Sequence, residues 1–339
     1  MAYTGTGSSA DPAIPSTITE LYKIITDARN GNVNGNTRGP YYIKLTQDID
    51  CADDPNYIGY AGRLSLDAPS NNNALRICKI YADTKKYIRG LTVKDSVFID
   101  FWYQEGLGSE IRNIDFIDCF FKPTENTSST SATMFYAYNT PSSAVIKNST
   151  MSISCYGYNY GNINRSCLFV RNVAFSNCSV YVKYNSTYSI IGDDTFIDIG
   201  YFYNGNLMKN NIFIFDSFYL TCSSSWSYPI IRASYTTEVV QYNSFIFKNP
   251  KITNSSSTLG ILNGAYNYLA FLNPTVASGI STPLNIQTFR GTATTIFATD
   301  SSAYGTVITK GSDSSGVGYW LTLDELKSEQ KLLDIGFVP

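Results

Sequence analysis

Histidine is missing from the chain altogether. Its absence removes the commonest general base, the commonest metal ligand and every Ser-His or Cys-His nucleophile. Any catalysis has to rest on carboxylates, Tyr or Lys. Charge is also scarce: 15% of the 339 residues are Asp, Glu, Lys or Arg, where a typical domain has about a quarter. The net charge of −2 gives no bulk electrostatic case for nucleic acid or an anionic membrane. The 7 cysteines (Cys51, Cys78, Cys119, Cys155, Cys167, Cys178 and Cys222) contain no CxxC pair, and their odd number argues against a disulfide framework or a zinc site. They are expected to be small buried hydrophobes of a chain folded in a reducing compartment. No run approaches the roughly 18 apolar residues that span a bilayer, so no membrane insertion is expected. The opening MAYTGTGSSADPAIPS has neither the basic nor the apolar block of a signal peptide. A soluble protein made in the cytoplasm is the expectation.

What the chain does contain suits β-structure. Apolar residues make up 43%, and Ser, Thr, Asn, Gly and 27 Tyr replace the missing charges. β-Branched and aromatic side chains fit a pleated surface. The chain also repeats itself, which bears more on its architecture than any composition does. Six segments align without gaps: Ile88–Val97, Ile111–Phe120, Ile146–Cys155, Val170–Ser179, Met208–Ser217 and Val240–Asn249. Their first position is apolar throughout, and so is the sixth (Val93, Phe116, Met151, Phe175, Phe213, Phe245). The second is cationic in Arg89, Arg112, Lys147, Arg171 and Lys209, and the third is Asn in Asn113, Asn148, Asn172 and Asn210.

Short turn-bounded segments rich in Val, Ile and Phe read as strands. An Asn at a fixed place marks a corner, because Asn tolerates the left-handed conformation and bonds neighbouring backbone. Stacked copies predict an Asn ladder on the outside and two apolar columns inside. Unevenly spaced short units point to a solenoid in which each coil buries the next. Further strands are expected at Ala132–Tyr138, Ser166–Asn172, Tyr188–Asp194, Tyr228–Ser234 and Leu259–Ala265, with a degraded coil at Tyr268–Ser278. Both ends read as helical. Thr17 and Glu20 form a capping box before Leu21, Ile24, Ile25 and Ala28, and Thr322 and Glu325 repeat the device before inward Leu326 and Leu333. The expected fold is all-β: a right-handed parallel β-helix with a short capping helix near each end. Residues 1–15 read as a flexible arm, 16–50 as the N-terminal cap and first strand, 51–280 as coils, and 281–339 as the C-terminal cap.

The segments STITELYKIITDARNG, YYIKLTQDIDC, MFYAYN, VIKNSTMSIS and TLDELKSEQKLLDIGF together resemble GLUG-type β-helix proteins, which occur in tailed-phage virion proteins and bacterial surface adhesins. The resemblance covers most of the chain and is architectural. Gly192 and Gly260 fit the glycine-rich turn of that pattern, whereas Tyr136 and Arg232 stand where glycines are expected.

Candidate chemistry falls into four groups. The acidic stretch DIDCADD carries Asp48, Asp50, Asp53 and Asp54, but it lacks the central Gly and distal Glu of a calcium loop, so it reads as strand-end turn chemistry and no metal is expected. Asp193, Asp194 and Asp198, with Glu105 and Glu110, could supply paired carboxylates for glycoside cleavage; the simpler reading is solvated turns. Stacked at about 4.8 Å, the five cations Arg89, Arg112, Lys147, Arg171 and Lys209 would form an assembly stripe about 20 Å long, unless they only protect a sheet edge. The insertions concentrate Tyr156, Tyr158, Tyr160, Tyr188, Tyr203, Trp226, Tyr266 and Tyr268 among Asn, Ser and Gly, a composition that suits binding loops and sugars as well as polar solenoid turns.

With no enzyme motif and no cofactor implied, the expectation is a non-enzymatic structural or binding component of a bacteriophage particle: a decoration, fibre or receptor-binding subunit. Its partners would be other virion proteins, host-surface glycan and further copies of itself. A β-helical glycan depolymerase and a bacterial surface adhesin are the alternatives.

Overall fold

The computed structural model describes residues 3–29, 33–35, 41–51, 77–93, 97–102, 110–121, 133–138, 145–156, 158–160, 163–165, 168–171, 173–185, 197–200, 208–217, 219–220, 229–233, 240–241, 243–252, 258–262, 268–278, 284–289, 296–310, 317–321, 324–325 and 328–334. Alternation of apolar and polar residues decides its architecture. In Thr150–Cys155 the side chains of Met151, Ile153 and Cys155 are buried, and Thr150, Ser152 and Ser154 are not. Ser179–Tyr184 repeats the pattern with Val180, Val182 and Tyr184. Each of these two strands has one wet face, and its dry face is satisfied by the interior of a coil.

The strands stack in parallel as an all-β solenoid, the parallel β-helix expected from the repeats. The first two faces belong to one 16-stranded sheet, because Ile77–Arg89 and Glu110–Phe121 run through the corner between them. On the first face, Glu110–Arg112 of that long strand, Val145–Lys147, Ala174–Ser176, Met208–Lys209 and Val240–Gln241 stack in order. The second face runs from Thr150–Cys155 through Ser179–Tyr184, Ile212–Asp216, Ser244–Lys248, Tyr268–Leu272 and Ile296–Asp300 to Val317–Leu321. The third face is an eight-stranded sheet from Val97–Trp102 to Ile308–Lys310. The antiparallel hairpin Tyr158–Tyr160 with Ile163–Arg165 projects from one insertion.

Stacking converts the repeat into apolar columns. Ile88, Phe116, Met151, Val180, Phe213, Phe245 and Leu269 are all buried and successive in register. Phe215, Phe247 and Phe271 form a second column, with Phe247 and Phe271 stacked at 5.1 Å between ring centroids. Phe213 and Phe245 stack at 5.3 Å. Each such ring contributes about 2–3 kcal/mol of burial and roughly 1 kcal/mol more from its aromatic neighbour.

Two of the six aligned copies sit in a different register from the expected one. Ile80, not Ile88, pairs with Ile111, and Ile88 lies opposite Phe116. Phe175, not Val170, pairs with Ile146, and Val170 belongs to the third face opposite Phe135 and Ile197. The letters of Val170–Phe175 mimic the pattern five positions early. What settles the register is the residue that turns the corner: Asn177 has φ 54°. In the Ile88 copy, Gly90 with φ 72° stands beside Asp118 with φ 50°, an extra left-handed bend at a bulge.

The ends also differ from expectation. The capping helix Ile18–Arg29 forms, with the Glu20 N–H donating to Thr17 Oγ1 at 3.2 Å, while the Glu20 carboxylate accepts from Ser16 N–H at 2.7 Å. Ile18, Leu21 and Ile24 are buried, and the side chains of Ile25 and Ala28 lie outside the described residues. The segment expected to be a flexible arm is packed. Tyr3 and Ala13 are buried, and Ala13 N–H donates to Tyr42 O at 2.8 Å while Lys44 N–H donates to Ala13 O at 2.9 Å. The backbone of the edge strand Tyr41–Lys44 needs these partners, which is why the arm is held. At the other end the coils continue past residue 280: Leu284–Phe289, Ile296–Asp300, Ile308–Lys310 and Val317–Leu321 all join the same faces. The terminal helix is Glu329–Asp334, capped by Ser328 Oγ, which accepts from Lys331 N–H at 3.3 Å. Leu333 is 44% exposed rather than inward. Thr322 and Leu326 lie outside the described residues.

Candidate binding groove along the asparagine corner

The corner between the first and second faces is a two-residue turn where Val145–Lys147 meets Thr150–Cys155 and Ala174–Ser176 meets Ser179–Tyr184. Its first residue is Asn113 (φ 58°), Asn148 (φ 51°), Asn177 (φ 54°) or Asn210 (φ 56°) in successive coils. The side chains form the expected ladder with Asn177 in place of Asn172, which lies outside the described residues. Asn148 Nδ2 donates to Asn113 Oδ1 at 3.3 Å, Asn177 Nδ2 to Asn148 Oδ1 at 3.5 Å, and Asn210 Nδ2 to Asn177 Oδ1 at 3.3 Å. The ladder ends on a backbone carbonyl, with Asn113 Nδ2 donating to Ala82 O at 2.9 Å. A primary amide has two N–H groups and two acceptor lone pairs, and the ladder uses one of each.

The next residue of each turn points inward: Ile114, Ser149, Cys178, Asn211 and Asn243 are all buried. Here a second amide pair satisfies the backbone. Cys178 N–H donates to Asn211 Oδ1 at 2.9 Å, and Asn211 Nδ2 donates to Asn243 Oδ1 at 2.8 Å and to Phe175 O at 3.0 Å. Burial pushes the Cys178 thiol up to about 11 and the Cys119 thiol up to about 12, so both stay protonated at neutral pH. Cys51, Cys119, Cys155 and Cys178 are buried, as expected of small hydrophobes. Cys178 is not the equivalent of Cys119, which stands in register with Ile153.

Two residues after Asn148 and Asn177 the side chains of Thr150 and Ser179 are exposed again, whereas Ser244 and Tyr268, farther along the same column, are buried. Thr150, Ser179, Ile212, Ser244 and Tyr268 follow one another in register. Between this column and the ladder runs a groove of about 610 Å³. Lys85 stands at one end, where its Nζ lies 3.0 Å from Asp115 Oδ1 and donates to Thr150 Oγ1 at 3.2 Å. Asp115 Oδ1 also accepts from Thr150 N–H at 2.6 Å. Tyr268, largely buried, stands at the other end. The groove therefore offers amides and hydroxyls in repeat, with one charge already offset. Of the residues singled out in the sequence for binding, Tyr268 lies in it, on a strand rather than a loop.

The structure distributes the other candidates differently from expectation. The five cations do not form a stripe. Arg112 and Lys147 are in register, but both pair with Glu110, at 3.4 Å each. Ser176 stands between Lys147 and Lys209. Arg89 lies on the second face, 3.4 Å from Asp50. Arg171 is on the third face, in register with Asp198, which is itself in register with Arg232. Glu110 is thus occupied by cations. Asp193, Asp194 and Glu105 lie outside the described residues. Asp48 accepts from Tyr87 N–H at 3.0 Å, the strand-end role expected of it. Asp53 and Asp54 lie outside the described residues.

Tyr156 is half-buried, with its N–H on Phe121 O at 2.9 Å. Tyr158 and Tyr160 belong to the antiparallel hairpin, and Tyr188, Tyr203, Trp226 and Tyr266 lie outside the described residues. Sequence reasoning found the Asn column but assigned it only to turning the chain. Lys85, Thr150 and Ser179 gave no local signal, because their nearness depends on coils far apart in the chain.

Fold and groove define the class: a parallel β-solenoid with an amide-lined corner. No family model matches the chain, and no curated protein or solved structure does. Among the described residues no helix is long and apolar enough to cross a membrane.

Proposed function

We propose that this chain is a non-enzymatic structural and binding protein, a rigid β-helical rod that presents a polar groove along one corner. The observation that carries this reading is the groove itself: its lining supplies Asn, Ser and Thr in repeat, with Lys85 as the single charged residue among the described ones. Such a surface suits recognition of a polar ligand. The likeness of the terminal and coil segments to GLUG-type β-helices supports a finer assignment, a decoration, fibre or receptor-binding subunit of a bacteriophage particle, working as a homo-oligomer or mounted on other virion proteins. Rod-like stacking suits that task, because each coil stiffens its neighbours and a binding face is held at fixed spacing. Mass spectrometry of purified particles from a host culture producing this protein tests the assignment. Recovery of its peptides in stoichiometric amount is expected, and their absence from intact particles overturns it.

A further inference from the structure

We infer that the groove along the Asn ladder is a subsite for an uncharged, extended oligosaccharide lying parallel to the solenoid axis, with Tyr268 and Lys85 marking its ends. The inference rests on the reading of the chain as a binding scaffold and names the ligand class of that groove.

Three observations lead to it. The first is the period. Parallel strands place equivalent residues about 4.8 Å apart, so Asn148, Asn177 and Asn210 present the same amide to the groove at that interval over about 10 Å. A translationally repeating site suits a ligand that repeats with nearly the same step, and one sugar residue of an extended β-linked glycan advances by close to that distance. An extended peptide does not match: its side chains on one face recur at about 6.6 Å, out of step with that spacing, whereas same-face units of the glycan, every second sugar, fall near every second amide.

The second observation is the chemistry. Each ladder amide retains one N–H and one lone pair beyond those spent along the ladder. The facing column adds the hydroxyls of Thr150 and Ser179. Paired donors and acceptors of this kind match vicinal hydroxyls. The ring of Tyr268 closes the far end with an aromatic surface, against which the apolar face of a sugar packs.

The third is the charge. Among the described residues that line the groove only Lys85 is ionic, and Asp115 lies 3.0 Å from it. A polyanion would need several unpaired cations along its length. The cations of the neighbouring first face, Arg112 and Lys147, are both engaged by Glu110. The groove is therefore matched to a neutral polyol.

The experiment is calorimetric titration of the full-length chain with neutral oligosaccharide series (cello-, manno- and chito-oligomers, from dimer to hexamer), alongside acidic hyaluronate and alginate oligomers. At least one neutral series should bind with affinity that climbs with each added unit and levels off near the length of the ladder. Two variants test the location. Asn177→Gly keeps the left-handed corner accessible while removing the amide, and Thr150→Val removes a hydroxyl from an exposed position. Each should weaken binding by roughly fivefold to tenfold, as expected for one lost hydrogen-bonding group. The inference is overturned if no neutral series binds, if affinity ignores length, if both variants bind like the parent, or if the acidic oligomers bind more tightly. A negative titration with the protein present in particles removes the groove assignment alone. A positive titration with the protein absent from particles removes the virion assignment alone.

Discussion

Asp216 shows how a single buried carboxylate holds the outside of the solenoid together. It accepts from Tyr181 OH at 2.8 Å, from Asn249 Nδ2 at 3.0 Å and from Ser217 Oγ at 3.0 Å, with Lys248 Nζ at 3.9 Å. Burial pushes its pKa up, but the hydrogen bonds from Tyr181, Asn249 and Ser217 and the Lys248 charge together bring it below the usual carboxylate value. A carboxyl depressed in the folded state stabilises the fold at pH above its unfolded pKa, and that contribution is lost as pH falls through the folded value. Burial, and then the Asp216 hydrogen bond, raise Tyr181 to about 12, so its contribution is present below its unfolded pKa and lost as pH climbs toward 12. Asp216→Asn should therefore flatten the acid limb of a stability-against-pH curve measured by urea denaturation; an unchanged limb would show that the cluster does not couple to folding. At the same scale, the left-handed corners explain the preference for Asn in the ladder. A β-branched residue at φ near +55° pays about 1–2 kcal/mol in backbone strain, which Asn avoids.

At the scale of the strand, the inward columns carry the stability. Phe247 is fully buried, between Phe215 at 5.4 Å and Phe271 at 5.1 Å. Phe247→Ala should cost about 3–5 kcal/mol, and Phe247→Leu no more than about 1.5 kcal/mol, because only the first leaves a cavity that two neighbouring coils cannot close. Equilibrium urea unfolding measures both, and equal costs would mean the column relaxes freely. Period-two alternation made these strands legible in the sequence, down to Phe116, Phe213 and Phe245 as one inward column. The same alternation could not fix register. Val170–Phe175 offers an apolar, a cation and an Asn in the right order, yet Phe175 and Asn177 are the residues that stack, because only the neighbouring coils determine which Asn meets Asn148 and Asn210.

Across the whole molecule, a solenoid has two open ends, and each must be covered. The N-terminal end is closed by two devices. The helix Ile18–Arg29 buries Ile18, Leu21 and Ile24, and the preceding segment supplies backbone partners to the edge strand Tyr41–Lys44. Deleting residues 1–15 removes the second device and leaves the helix in place without its Tyr3–Asp27 hydrogen bond. The truncated chain should keep its β-rich circular dichroism but form higher oligomers by edge pairing, visible in light scattering; a monodisperse truncated chain would show that the helix alone is enough. Composition alone made the Gly-, Ser- and Pro-containing segment look unstructured. It is ordered because it completes a hydrogen-bonding edge that only the folded coil creates.

The sequence by itself determined the class of architecture, since short strands of fixed alternation, a repeated corner Asn and capped ends leave a parallel solenoid as the way to bury every coil. It also determined that the corner would be lined with amides. The tertiary structure alone decided which residues share a face. Arg89, Arg112 and Arg171, alike in the repeat, fall on three different surfaces, and Lys85, Thr150, Asn177 and Tyr268 meet along one groove. Register between coils is set by stacking of side chains that lie some thirty residues apart in the chain, such as the Asn148–Asn177 pair at a separation of 29. No local pattern encodes a contact at that distance, so the groove becomes visible only when the coils are stacked.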